Sequence, residues 1–175
     1  APVKISNQAS SDAMELAGGG YLLKAYGQAK LYKLDENGGL TEFVNSSLLE
    51  TTGGQLEQEP DGSILVTNPS QNRILRYELN GTLRDTPAAY TNGMPYQLVK
   101  FGDKGYLLST SNGLYWYNEN WIVERLTFSS TNTAVPLPDG SVMWGDNAGV
   151  YKMSFTPADT SALTAKIDAT LANSA

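Results

Sequence analysis

The chain has 175 residues, 41% of them apolar and 17% charged, with a formal net charge of −6. That apolar content suits a folded domain, and 12 scattered Lys and Arg on an acidic chain argue against nucleic acid or an anionic membrane surface as partner. Histidine and cysteine are both absent, which excludes disulfides, thiolate zinc sites, cysteine nucleophiles and Ser-His-Asp chemistry.

No apolar run approaches the ~18 residues that a membrane helix needs, so membrane insertion is not expected. The start Ala1-Pro2-Val3 reads like a mature end left by a signal peptidase or by cloning. Low charge with many Ser, Thr, Asn, Gly and Tyr fits an exported protein: secreted, periplasmic or at the cell surface.

In chain order, the first predicted strand is Met14-Glu15-Leu16-Ala17. A turn glycine then opens a second, Gly20-Tyr21-Leu22-Leu23, and the polar turn Tyr26-Gly27-Gln28 leads into a third, Leu31-Tyr32-Lys33-Leu34. The Asn37-Gly38 pair predicts a type I′ turn into a fourth strand at 40–44. The same order returns with Gln55-Leu56-Glu57-Gln58, Gly62-Ser63-Ile64-Leu65, Ile74-Leu75-Arg76-Tyr77, a second Asn-Gly turn at Asn80-Gly81, and Leu83-Arg84-Asp85. It returns again with Tyr96-Gln97-Leu98-Val99-Lys100, Gly105-Tyr106-Leu107-Leu108, Leu114-Tyr115-Trp116-Tyr117 and a run at 121–126. The last copy is shorter: Thr133-Ala134-Val135-Pro136, Gly140-Ser141-Val142-Met143 and Val150-Tyr151-Lys152-Met153.

The four glycines stand 42, 43 and 35 residues apart. Four short antiparallel strands recurring every ~40 residues are the signature of a propeller blade. The expected fold is all-β: a β-propeller-type array of four blades over 1–155, at about 12–45, 54–86, 95–127 and 132–155. A meander sandwich or barrel with accidental likeness between hairpins is the alternative. The Ala/Thr/Ser-rich tail, 156–175, reads as a closing strand, a short helix or a linker.

Asp61-Gly62-Ser63-Ile64-Leu65-Val66-Thr67-Asn68 with Arg73-Ile74-Leu75-Arg76-Tyr77, and again Asp139-Gly140-Ser141-Val142-Met143-Trp144-Gly145-Asp146, resemble NHL and SMP-30/gluconolactonase-like propeller blades. The resemblance covers about 14–155 and implies fold, not function. Such propellers usually have six blades. Four leave three outcomes: a second or partner chain completes the ring, the sequence is part of a longer protein, or four blades close alone.

The resemblance implies a ligand site where the innermost strands meet the channel, at Glu15, Glu57, Glu59, Tyr96 and Gln97. A lactonase of this kind would hold calcium through oxygen ligands, with Glu15 near the place of its first glutamate. Ala17-Gly18-Gly19 departs from the family there, and the later Asn and Asp ligands have no clear counterparts. Virginiamycin-lyase-like propellers use a catalytic histidine, which this chain lacks.

Asp35-Glu36-Asn37-Gly38 and Asp146-Asn147-Ala148-Gly149 read as turns, not calcium loops. Tyr32, Tyr77, Tyr115, Tyr117 and Tyr151, with Trp116, Trp121 and Trp144, read as packing between blades, with a sugar-binding platform as the sharper reading. Asn45-Ser46-Ser47 and Asn80-Gly81-Thr82 match the glycosylation sequon, which matters only in a secreted eukaryotic protein. The expectation is a non-catalytic exported module, without cofactor, that binds protein or self-assembles as a homo-oligomer or with a partner chain. The alternatives are a calcium-dependent lactonase-like hydrolase completed by a partner, and a glycan or small-molecule binder at the channel mouth.

Overall fold

The computed structural model describes residues 8–89 and 91–154. The predicted tail and the Ala1-Pro2-Val3 start lie outside the described residues. The described chain forms fifteen strands in four antiparallel meanders. Blade 1 holds β1 (Ser10–Glu15), β2 (Tyr21–Ala25), β3 (Lys30–Leu34) and β4 (Leu40–Asn45). Blade 2 holds β5 (Leu56–Gln58), β6 (Ile64–Asn68), β7 (Arg73–Tyr77) and β8 (Leu83–Ala88). Blade 3 holds β9 (Pro95–Lys100), β10 (Tyr106–Thr110), β11 (Gly113–Tyr117) and β12 (Val123–Arg125). Blade 4 has three strands, β13 (Thr133–Pro136), β14 (Ser141–Gly145) and β15 (Val150–Ser154). Each blade pairs its strands in chain order, so the sandwich and barrel alternatives fall.

Among the described residues there is no α-helix, only a 3₁₀ turn at Pro69–Gln71, and no helix long and apolar enough to cross a membrane. Asn68 caps that turn, its carboxamide oxygen accepting from the Gln71 N–H, and Asn72 ends it in the left-handed region at φ 50°.

Two details differ from the sequence reading. The Asn-Gly pairs are not type I′ turns, because only Gly38 (φ 83°) and Gly81 (φ 85°) have positive φ. Asp35 N–H donates to Gly39 O while Gly38 N–H returns to Asp35 O, which makes a three-residue loop with a glycine bulge. The Asp35 carboxylate pins it by accepting from the Asn37 and Gly39 N–H groups at 2.9 and 2.7 Å.

The four glycines are also not strictly equivalent. Leu16 N–H bonds Gly20 O, and the matching bonds are Glu59 to Ser63, Phe101 to Gly105 and Leu137 to Ser141. Gly62 and Gly140 therefore sit one place earlier than Gly20 and Gly105, in Asp-Gly-Ser turns where the aspartate caps the serine N–H. In this register Tyr21, Ile64, Tyr106 and Val142 correspond, and so do Leu22, Leu65, Leu107 and Met143.

Strand alternation then builds the core. The face of each blade that looks toward the next one meets the opposite face of that next blade. Leu22 and Leu31 pack on Ile64, Val66 and Tyr77; Leu65 and Ile74 pack on Tyr106, Leu108 and Tyr117; Leu107 and Trp116 pack on Ala134 and Val142. Four blades thus share three cores. The inner strands touch in order, β1 on β5, β5 on β9, β9 on β13, and no comparable contact joins β13 to β1 among the described residues.

Candidate functional site

The inner strands bind the blades to one another through side chains. Asp12 on β1 accepts from the Leu56 N–H of β5 at 2.7 Å. Gln97 occupies the same place on β9 and accepts from the Ala134 N–H of β13 at 2.8 Å, with the Thr133 hydroxyl on the same oxygen at 2.8 Å. Both bonds satisfy the first free donor of the next inner strand. Glu57 receives the Lys100 N–H across the next junction, and burial holds its carboxyl above the usual range, partly offset by the Lys100 charge.

Glu59 is the centre of a larger network between blades 2 and 3. Its carboxylate pairs with Arg76 Nε at 2.6 Å and accepts from the Ser63 hydroxyl at 2.6 Å and the Tyr106 hydroxyl at 3.0 Å. Arg76 also reaches Asp85 at 3.0 Å. Tyr106 stacks on Trp121 with ring centroids 5.2 Å apart, and Lys100 Nζ lies 4.5 Å above the Tyr106 ring. Burial, with Glu59 alongside, holds the Tyr106 phenol well above its ordinary value. Burial alone does most of the same for Tyr117, pushed up to about 12.

The five residues marked by the resemblance do not converge. Glu15 is exposed at the end of β1, beside a shallow cleft that it shares with Gln58. Glu59 lines a separate cleft of about 190 Å³ with Lys100, Tyr106 and Glu119. Tyr96 is exposed on β9, and the amide oxygen of Gln97 is held by two donors. Among the described residues no three acidic side chains gather to hold a cation. Calcium wants six to eight oxygens, and here the Glu59 and Gln97 oxygens are committed to protein donors, so these residues do not fit that ion.

The aromatic residues mostly serve packing. Tyr77, Tyr115, Tyr117 and Trp116 are buried between blades, the last donating its indole N–H to Lys104 O at 2.7 Å. Tyr151 stacks on Trp144, centroids 5.4 Å apart. Tyr32 is half-buried, its hydroxyl on Gln28 Oε1 at 3.0 Å.

Sequence reasoning missed Asp12 and Lys24. Lys24 has no exposed surface; its ammonium donates to the carbonyls of Ala25, Gln28 and Glu50 at 3.1, 3.3 and 2.5 Å. A charge inside the apolar run Leu22-Leu23-Lys24-Ala25 was the available signal.

The two ends of the array are the other distinctive surface. Met143 is 36% exposed on the far face of blade 4, whereas its counterparts Leu65 and Leu107 are fully buried. Val135 and Val150 on that face are exposed too. On the near face of blade 1, Tyr21 and Leu40 are exposed, but Leu23, Ala25 and Leu34 on that same face are buried.

Comparison with protein-family models gives no match, and comparison with curated proteins gives none. Solved structures do match. A virginiamycin B lyase from Staphylococcus aureus superposes with TM-score 0.61 at 13% identity, over 85% of this chain and 56% of its own. A candidate gluconolactonase matches with TM-score 0.61 at 17% identity, over 82% and 57%. The extracellular domain of a candidate two-component system from B. thetaiotaomicron matches with TM-score 0.64 at 19% identity, over 84% and 21%. The chain spans just over half the length of the lyase and the gluconolactonase that it resembles. At these identities the likeness defines the fold: four blades of a β-propeller, similar to the gluconolactonase and lyase propellers.

Proposed function

We propose that the chain is a non-catalytic propeller module that works outside the cell by docking protein on the far face of blade 4. The observation that carries this reading is Met143, an apolar side chain exposed at a place that blades 2 and 3 bury completely. Burying such a side chain from full exposure is worth roughly 1.5–3 kcal/mol, of which the part still exposed on Met143, 36%, remains to be gained. Asp12, Glu57 and Gln97 of the inner strands are engaged in holding blades together, whereas Val135, Met143 and Val150 stay exposed on the far face of blade 4. The extracellular setting rests on the low charge and on the likeness to the extracellular domain of a candidate two-component system.

Light scattering across a concentration series tests the reading. The expected result is a mass above 18.9 kDa and a melting temperature that rises with concentration. A monomer at every concentration, with a constant melting temperature, overturns it.

A further inference from the structure

Blades 1, 2 and 3 each carry a fourth strand on the outer edge of the third: β4 on β3, β8 on β7 and β12 on β11. β15 is the third strand of blade 4, and among the described residues its outer edge has no strand beside it. Such an edge presents backbone N–H and C=O groups that an added strand can use.

Blade 2 shows what holds a fourth strand in place. Leu83 of β8 stands opposite Tyr77 and Asp85 opposite Arg76, with Arg84 as the extra residue of a bulge between them. Asp85 pairs with Arg76 at 3.0 Å, and Arg84 pairs with Asp61 of the Asp-Gly-Ser turn at 2.7 Å. One apolar contact and two ion pairs of opposite sense therefore fix β8.

Blade 4 carries its own half of each of these contacts. Leu65 pairs with Arg76 and Met143 with Lys152, so Lys152 stands in the place of Arg76 and Met153 in that of Tyr77. Asp139 stands in the place of Asp61, each accepting from the serine N–H two residues on at 2.9 Å. Without the charges of a fourth strand, the two pair with each other, Lys152 Nζ lying 2.8 Å from Asp139. Their side chains are 55% and 57% exposed, and Val150 on β15 is 74% exposed, so the edge is open to a partner.

We infer that the outer edge of β15 seats an extended segment of a protein partner, antiparallel to it, with the pattern apolar–basic–acidic. The apolar side chain lies opposite Met153, the basic one on Asp139 and the carboxylate on Lys152. In the three complete blades the apolar residue, Leu40, Leu83 or Val123, comes six positions after the residue it faces. Six positions after Met153 the sequence has Asp159, then Thr160 and Ser161, so the chain's own continuation lacks the pattern at that spacing. The seat concerns the edge of blade 4, whereas the docking reading concerns its far face.

The probe is the peptide Gly-Thr-Leu-Arg-Asp-Thr-Pro-Ala, whose sequence is that of 81–88 in the blade 2 seat. It is titrated to millimolar concentration into the isotope-labelled full chain and followed by amide chemical shifts. The expected result is saturable shifts at 150–154 and 139–141. Lys152→Glu removes an attraction and adds a repulsion, so it is expected to weaken binding about tenfold. A peptide with Asp85→Lys should recover that loss on the variant. No shifts at β15, as an edge already filled by another segment would give, overturns the inference. So do shifts at β7 in their place, equal binding by Lys152→Glu, or no recovery with the exchanged peptide.

The two readings fail separately. A chain that stays monomeric in light scattering yet shifts with the peptide removes docking on the far face and keeps the strand seat. Assembly above 18.9 kDa without peptide shifts does the reverse.

Discussion

Lys24 offers the sharpest test of how this array is held together. Its ammonium is sealed from solvent and donates to three carbonyls: Ala25 O at the end of β2, Gln28 O in the β2–β3 turn, and Glu50 O in the loop that leads to blade 2. Lys24→Met keeps most of the volume and removes the donors. Charge-assisted hydrogen bonds contribute about 1.5–3 kcal/mol each, so losing three suggests a large cost. Against that stands the penalty for desolvating an ammonium, several kcal/mol, which the methionine avoids. The carbonyls decide the balance, since they stay behind without their donor. The net expectation is a loss of about 2–4 kcal/mol, or roughly 4–16 °C in melting temperature for a chain of this size. Urea denaturation at pH 7 measures it. Burial lowers the Lys24 pKa, with the Glu50 charge opposing. The unfolded chain therefore binds more protons below the ordinary value of 10.5, and native stability rises with pH in that window. The methionine variant should lack that slope. A variant as stable as the parent, or more so, would refute the reasoning and show that desolvation outweighs the three bonds.

Other consequences follow from the turns and from the inner strands. Gly105→Ala places a Cβ against Tyr117 O at a φ of +101°, so it is expected to cost at least about 2 kcal/mol. Gly27→Ala, with φ +76° but open space around it, should cost only about 1 kcal/mol; equal losses in thermal melts would contradict the steric argument. Burial raises the Asp12 carboxyl, although the N–H groups of Leu56 and Ala13 pull the other way. Its contribution to stability is present below the ordinary 3.8 and is lost as pH rises through the folded value. Asp12→Asn keeps an oxygen for Leu56 N–H, so its melting temperature at pH 7 should equal or exceed the parent's and depend less on pH. A clear loss at pH 7 would mean that the anionic bond to Leu56 outweighs burial.

The blades were legible because period-two apolar runs and turn glycines are local signals. β13 falls where Thr133-Ala134-Val135-Pro136 was read, and β5, β7 and β9 lie within a residue of their predicted runs. The one-residue offset of Gly62 and Gly140 was not legible. Asp-Gly-Ser and Gly-Gly turns close the same loop with the glycine at different places, and only the hydrogen bonds show which residues correspond. The loop before β12 shows the same limit: Trp121 takes the left-handed place, at φ 60°, that Gly38 and Gly81 take in blades 1 and 2. A tryptophan there opposes local preference, and its stacking on Tyr106 is a tertiary contact that no local rule supplies. The site fared worse for a related reason. Glu59 and Gln97 were visible as polar residues beside the channel, but their partners Arg76, Tyr106 and Ala134 lie 17, 47 and 37 positions away.

Those long-range partners also bear on why the far face of blade 4, and not the channel, carries the functional reading. A propeller that acts at its centre needs inner-strand side chains free to meet a ligand. Here Asp12 and Gln97 each bridge to the backbone of the next inner strand. Glu57 takes the Lys100 N–H, and Glu59 gathers Arg76, Ser63 and Tyr106. Removing any of them to bind a substrate would leave a buried donor without an acceptor, at about 1–3 kcal/mol each. The device stops at blade 4, where Thr133 stands in the place of Asp12 and Gln97 and its hydroxyl points back to Gln97 rather than on to a further blade. The far face of blade 4 carries instead the exposed apolar side chains Val135, Met143 and Val150, with Lys152 paired to Asp139.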